Sequence, residues 1–183
     1  MAWRLDEFER SVARLGASSL AVYRRDLVAF VDWATGAGLD GPERVSRTDL
    51  RRYLTVLSGL GATPTDGLAP ATIRRKVSAL RRYFGWLVKD GALAVDPTVG
   101  LTAPSGAHRL PRVLNADQIT ILLDESSARD PDEPRRLRDD AVLELLYGSG
   151  LRVSELCGLD VGDVDLDRGA ARVWGKGDKE RLV

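Results

Sequence analysis

The spacing of the apolar residues changes once along the chain, near Asp163, and this change limits the folds that are possible. Before it, apolar residues recur three and four positions apart, as on one face of an amphipathic helix. After it they alternate with polar residues, with Val164 and Leu166 before a turn and Ala171 and Val173 after it. The pattern predicts a mainly α-helical chain that ends in a small antiparallel sheet.

One long amphipathic helix is predicted over residues 71–89. Its apolar stripe recurs at about 3.6 residues per turn and consists of Ile73, Val77, Leu80, Phe84 and Leu87. The opposite side carries cations, and no acidic residue occurs between positions 71 and 89. Because Lys and Arg neutralise nucleic-acid phosphates, we expect this side to bind DNA through Arg74, Arg75, Arg81 and Arg82. An ordinary solvated face is the alternative.

Capping signals and a proline-rich stretch divide the chain into domains. Ser46 with Asp49, and Asn115 with Gln118, have the spacing of capping boxes at helix starts. Three prolines and no periodicity mark residues 96–112 as an interdomain linker. We therefore expect a helical domain over 1–95 and a mixed helix and strand domain over 113–183.

The composition is that of a globular protein. Hydrophobic residues make up 44% and charged residues 30% of the chain, and no stretch is long enough to span a membrane. With one cysteine, Cys157, the chain cannot form an intrachain disulfide. We expect Cys157 to be a small buried apolar residue. Because the first residues lack the apolar core of a signal peptide, the expected location is the cytoplasm.

The zero net charge conceals an uneven distribution. Residues 1–112 carry 17 Lys and Arg against 11 Asp and Glu, whereas residues 113–183 carry 10 against 16. A basic first half favours a polyanionic partner. Two helical segments with differently charged surfaces would give the same numbers, so charge alone leaves both interpretations open.

Three segments resemble the Xer type of tyrosine recombinase, in the phage integrase family. YGSGLRVSEL (147–156) resembles the segment of the family's first catalytic arginine, and VWGKGDKERLV (173–183) resembles its lysine hairpin. TIRRKVSALRRYF (72–84) is similar to the Xer N-terminal domain. The arginine and the lysine stand 24 positions apart, which is typical of Xer proteins. Within the family the chain most resembles the XerC branch.

This resemblance implies both the fold and the reaction. Residues 1–95 would form a helical, SAM-like core-binding domain, and 113–183 the first part of an α+β catalytic domain with a three-stranded sheet. The enzymes of this family cleave and rejoin DNA through a 3′-phosphotyrosyl intermediate and need neither metal nor nucleotide. The implied partners are a double-stranded recombination site and a related recombinase, in a heterotetramer that resolves chromosome dimers.

The resemblance also assigns roles to three residues. Arg152 would hold the phosphoryl oxygens in the transition state, because a guanidinium can donate two parallel hydrogen bonds to phosphate. Lys176 would protonate the departing 5′ oxygen as a general acid. Glu155, one helical turn after Arg152, would orient the site. Without the motifs, Arg152 would be interpreted as a solvated helix-end residue and Lys176 as an ordinary turn residue.

The rest of the family's site is not found within the 183 residues. The tyrosines Tyr23, Tyr53, Tyr83 and Tyr147 lie in helical patterns and are predicted to be core or groove-lining residues. The resemblance implies that the His-x-x-Arg motif and the tyrosine nucleophile lie downstream of the lysine hairpin, beyond Val183, and the chain is expected to be an inactive fragment. The alternative is a non-catalytic helical module that binds DNA or another protein. A downstream reading frame that encodes the motif and a tyrosine would favour the enzyme.

Overall fold

The computed structural model describes residues 3–61, 66–104, 113–124, 133–175 and 179–183. The chain divides into two compact units, Met1–His108 and Arg109–Val183. Within the described residues, no helix combines the length and the apolar character that a membrane crossing requires.

The first unit is a bundle of α-helices. In chain order they are α1 (Leu5–Ser11), α2 (Ala17–Gly36), α3 (Arg47–Leu57) and α4 (Pro70–Lys89). A 3₁₀ turn, Pro42–Arg44, precedes α3. None of the residues described between Ser18 and Lys89 lies in a strand, so the expected helical architecture is confirmed.

All four helices contribute buried side chains to the core of the first unit. The predicted apolar stripe of α4 is buried along its whole length, from Ile73 to Leu87. Phe30 of α2 is fully buried, and its ring lies 5.2 Å from that of Tyr53 and 6.0 Å from that of Phe84. Both ring pairs are edge-to-face, the geometry that aromatic quadrupoles favour. Aromatic packing therefore joins the three long helices.

The start of the predicted linker packs onto this first unit. Oδ1 of Asp96 accepts hydrogen bonds from the backbone N–H and the hydroxyl of Thr98, both at 2.7 Å. Leu101 is 1% exposed and belongs to the apolar core. The proline-rich segment thus contains a short ordered turn before residue 105. Residues 105–112 of the predicted linker lie outside the described residues.

The second unit combines helices with a small sheet. Its helices are α5 (Ala116–Asp124), α6 (Glu133–Ser149) and α7 (Val153–Cys157). Its strands are β1 (Val164–Asp165), β2 (Ala170–Gly175) and β3 (Lys179–Leu182), which form an antiparallel sheet in the order β1-β2-β3. The predicted three-stranded sheet is confirmed.

Both predicted capping boxes are present. Ser46 Oγ accepts from the Asp49 backbone N–H at 3.3 Å, and Asp49 Oδ2 accepts from the Ser46 backbone N–H at 3.0 Å. The same reciprocal bonds join Asn115 and Gln118, at 2.8 and 3.0 Å. A capping box needs only residues three positions apart, which is why the local sequence predicts it correctly.

Candidate active site and nucleic-acid interface

Arg152 stands at the start of α7, after a turn that requires glycine. Gly150 has a φ of +62°, in the left-handed region that residues with a Cβ atom rarely adopt. Leu151 is buried and anchors the turn, while the side chain of Arg152 is 65% exposed. The local sequence therefore places a cationic side chain at the surface on a fixed backbone.

The carboxylate of Glu155 holds Arg152 at two points. Its Oε2 accepts the backbone N–H of Arg152 at 2.8 Å, and its Oε1 accepts Nη1 of the guanidinium at 2.6 Å. The Glu155 side chain is 1% exposed, although its residue type is rarely buried. The expected contact between these two residues is present in the structure.

A second arginine, which the sequence analysis did not single out, completes this cluster. Arg181 on β3 donates from Nη2 to Oε2 of Glu155 at 2.8 Å. The same nitrogen lies 3.4 Å from the carbonyl oxygen of Gly150. Arg181 belongs to the segment that resembles the lysine hairpin, but nothing in the local pattern indicates that its partner lies on α7.

These hydrogen bonds keep Glu155 ionised. The bond from Arg181 is the largest influence, followed by the bond from the Arg152 backbone, and together they lower the pKa of Glu155 to about 2. Burial acts in the opposite direction, because it disfavours the charged form. At neutral pH the cluster is therefore one carboxylate between two guanidinium groups.

Glu155→Gln is expected to reduce the acid sensitivity of the second unit. The folded pKa of Glu155, about 2, lies below its ordinary value of 4.5, so folding favours the ionised form. The resulting stabilisation is complete above the unfolded pKa and is lost as the pH falls through the folded one. Urea unfolding between about pH 5 and pH 2 should show a smaller loss of stability in the glutamine variant than in the parent. Glu180→Gln is the control, because the Glu180 side chain on β3 is exposed, and an equal loss in all three proteins would contradict the prediction.

Lys176 lies outside the described residues, but the strands on both sides of it are described. Gly175 at the end of β2 pairs with Lys179 at the start of β3. A Cβ placed on Gly175 would lie 3.3 Å from Oε1 of Glu155 and 3.7 Å from Nη1 of Arg152. The residue that precedes Lys176 in the sequence thus lies beside the Arg152 guanidinium.

The predicted DNA-binding arginines of α4 do not share one environment. Arg74, Arg81 and Arg82 are exposed. Arg81 donates from Nη2 to the carbonyl oxygen of Leu101, and the guanidinium of Arg82 lies 5.8 Å from the centre of the Tyr23 ring. Most N–H donors of these exposed arginines of α4 therefore remain at the protein surface.

Arg75 instead points to a buried carboxylate. Its Nη1 donates to Oδ2 of Asp26, whose side chain is 1% exposed. Nζ of Lys76 lies 3.2 Å from Oδ1 of the same carboxylate. The carboxylate that neutralises these cations belongs to α2. Inspection of residues 71–89 alone, which contain no acidic residue, therefore could not predict this pairing.

A shallow groove lies beside the exposed cations. Its volume is about 350 Å³, and its lining includes Arg81, Arg82 and Lys89 of α4, together with Trp86 and Val12. Arg81, Arg82 and Lys89 thus place three cations along one groove of the first unit.

The four tyrosines differ in accessibility. Tyr53 and Tyr83 are buried, and burial raises the pKa of both phenols. Tyr23 is partly buried against the core. Tyr147 is 62% exposed, which excludes a core position and leaves the groove-lining alternative.

Cys157 is exposed, so the prediction of a buried thiol is wrong. The buried residue of α7 is Glu155. Cys157 follows Glu155 by two positions, which turns its side chain by about 200° around the helix axis. The prediction used the apolar character of Leu156 and did not identify the buried face of α7.

Comparison with known proteins decides the family. Residues 5–91 match the model described as "Phage integrase, N-terminal SAM-like domain", and residues 112–183 match the one described as "Phage integrase family". The chain belongs to the phage integrase family. This confirms the resemblance drawn from the motifs, and the SAM-like match covers the helical first unit.

Curated relatives from the XerC branch match over most of the chain. The tyrosine recombinase XerC of Xanthomonas campestris pv. campestris (strain B100) is 42% identical over 177 residues, which are 97% of this chain and 51% of the relative. That of Xylella fastidiosa (strain 9a5c) is 39% identical over 169 residues, 92% of this chain and 54% of the relative. The chain spans about half the length of the curated relatives it matches.

Solved recombinase structures share the fold. XerH site-specific recombinase bound to a palindromic difH substrate, in a post-cleavage complex, aligns with a TM-score of 0.69 at 21% identity, over 98% of this chain and 52% of that one. A lambda integrase dimer bound to a COC′ core site aligns with a TM-score of 0.66 at 21% identity, over 98% and 60%. At this identity the likeness concerns the fold.

Proposed function

We propose that this chain is the DNA-binding unit and the first part of the catalytic unit of a site-specific tyrosine recombinase. The supporting observation is the exposed guanidinium of Arg152, held by Glu155 beside Gly175, the residue before Lys176. This arrangement supports the proposal, because the strand that leads to Lys176 ends beside the proposed catalytic arginine. Sequence identity of 42% to a XerC recombinase supports the same function.

In the proposed reaction Arg152 stabilises the charge on the transferring phosphoryl group. A tyrosine attacks the phosphodiester, the 5′ oxygen departs, and negative charge develops on the remaining phosphoryl oxygens. A guanidinium has five N–H donors, and within the described residues only Nη1 of Arg152 is bonded to a partner. The remaining donors can hold two phosphoryl oxygens without reorganising during the reaction. Lys176 would protonate the departing 5′ oxygen.

The first unit is proposed to position the chain on double-stranded DNA. The exposed cations Arg74, Arg81 and Arg82 are its candidate phosphate contacts, whereas Arg75 acts mainly through buried Asp26. We further propose residues 1–95 as the DNA-binding domain, 113–183 as the start of the catalytic domain, a cytoplasmic location, and a related recombinase as the partner in a heterotetramer. A lambda integrase tetramer bound to a Holliday junction shares the fold, which supports a multimeric assembly.

The double variant Arg74→Ala, Arg81→Ala is expected to weaken binding of duplex DNA and to flatten its salt dependence. Removing one arginine–phosphate interaction should reduce the log–log slope by about 0.9, because fewer counterions are released. Fluorescence anisotropy with a labelled duplex, titrated from low to high salt, measures the slope. An unchanged slope would show that these two arginines do not contact phosphate.

Arg75→Ala is the matched control for this measurement. It removes one arginine from the same helix, half the charge that the double variant removes, but its guanidinium is bonded to Asp26. We expect the variant to lower the stability of the first unit, because the buried carboxylate loses one of its cations. Its salt-dependence slope should stay close to that of the parent.

A further inference from the structure

Arg181 contacts the cluster that presents Arg152, and nothing in the family resemblance explains its presence there. We propose that Arg181 is a positioning residue for Arg152: by holding Oε2 of Glu155, it keeps Oε1 directed at the Arg152 guanidinium. The inference rests on the proposed function, in which Arg152 contacts the phosphoryl group. In this proposal Arg181 acts on Arg152 through Glu155.

The strand register directs Arg181 toward α7. Arg181 on β3 is the cross-strand partner of Val173 on β2, and directly paired residues project from the same face of a sheet. Val173 is 1% exposed and Ala171, two residues before it, is 4% exposed, so this is the inner face. Arg181 thus projects from the inner face of the hairpin, where its side chain stays 40% exposed and its guanidinium meets a charged partner.

The carboxylate of Glu155 supplies that partner and gains a fixed orientation in return. Its side chain is buried, and its two oxygens are divided between two guanidinium groups, Oε1 with Arg152 and Oε2 with Arg181. An exposed arginine paired with a freely rotating carboxylate would be weakly held. With Oε2 bonded to Arg181 and to the Arg152 backbone, the carboxylate cannot rotate without breaking charge-assisted hydrogen bonds.

The same hairpin contacts the pair from a second side. A Cβ on Gly175 would approach Oε1 of Glu155 to 3.3 Å, closer than most side-chain contacts allow. The hairpin therefore touches the Arg152–Glu155 pair at Oε2 through Arg181 and near Oε1 through Gly175. The orientation of the Arg152 guanidinium therefore depends on the hairpin being packed in its correct position against α7.

Nitrogen-15 NMR of arginine side chains in the 183-residue chain, without DNA, tests the proposal. The quantity measured is the rate of rotation of the Arg152 guanidinium about its Nε–Cζ bond, which pairing with Glu155 slows. Arg181→Gln is expected to speed this rotation toward the rate in Glu155→Gln, the variant that removes the carboxylate. Arg172→Gln is the matched control, since Arg172 pairs with Glu180 on the same hairpin and both side chains are 58% exposed. That control should retain the slow rotation of the parent.

A purely structural role for Arg181 gives a different result. In that case Arg181→Gln would lower the unfolding midpoint but leave the rotation rate of Arg152 unchanged, and the proposal would be overturned. If the glutamine variant does not fold, Gly175→Ala tests the same pair from the other strand. Faster rotation of Arg152 in that variant supports the coupling, and an unchanged rate contradicts it.

The readout also separates this inference from the proposed function. Rotation of Arg152 is measured in the free protein, so a failure to bind or cleave DNA leaves the result intact. Slow rotation that depends on Arg181, combined with an Arg152→Ala variant of a cleaving chain that retains full activity, would refute the proposed function alone.

Discussion

The 183-residue chain is expected to form no covalent adduct with a nicked recombination-site duplex. Of its four tyrosines, Tyr53 and Tyr83 are buried and burial raises the pKa of both phenols, which opposes formation of a phenolate nucleophile. Tyr23 packs against the core. Arg152 can stabilise a transition state but cannot replace the attacking group of covalent catalysis. A denaturing gel with end-labelled DNA measures the adduct.

A longer chain that continues through a His-x-x-Arg motif and a tyrosine is the positive control. It should form the adduct, and Arg152→Ala in that chain should lower the rate by about 10²–10³, the usual effect of losing one such donor. An adduct from the 183-residue chain itself would show that one of its own tyrosines is reactive. Tyr147→Phe would then be decisive, because Tyr147 is 62% exposed.

Phe30→Ala is expected to destabilise the first unit by about 3–5 kcal/mol, the usual range for removing a buried aromatic ring. Phe30 is fully buried, and its ring is 5.7 Å from Trp3 and 6.0 Å from Trp33. It also contacts aromatic residues of α3 and α4, so the cavity would lie where three helices meet. Urea unfolding followed by tryptophan fluorescence reports on this unit, because two of its indoles adjoin the deleted ring.

Val28→Ala provides the matched control on the same helix. Val28 is 39% exposed, and shortening it should change the stability by less than about 0.5 kcal/mol. A loss for Phe30→Ala as small as that of the control would mean that the bundle repacks around the missing ring. Such a result would contradict a core that depends on these aromatic contacts.

Local features of this fold could be predicted from the sequence because their causes are local. The apolar stripe of α4 buries the five residues that helical periodicity selects. The capping boxes at Ser46 and Asn115 use partners three residues away. The alternation after Asp163 likewise predicted strands, since successive strand residues point to opposite faces.

The candidate site was predictable only in part. The motifs selected Arg152 and Glu155, and the structure brings them together as expected. Spacing along α7 suffices for that contact, because a residue three positions away on a helix is a neighbour. Cys157 was misplaced because a five-residue helix is too short for its periodicity to reveal the buried side.

Partners distant along the chain were decided by the tertiary structure alone. Asp26 is separated from Arg75 by 49 positions, and Glu155 from Arg181 by 26. Periodicity and capping patterns act within about one helical turn, so they identify which face of an element is buried but not the charge that it meets there. The sequence by itself therefore determined the helices, the sheet and the order of the motifs. Only the packing of α2 against α4, and of the hairpin against α7, decided which arginines are exposed to solvent and which hold a buried carboxylate.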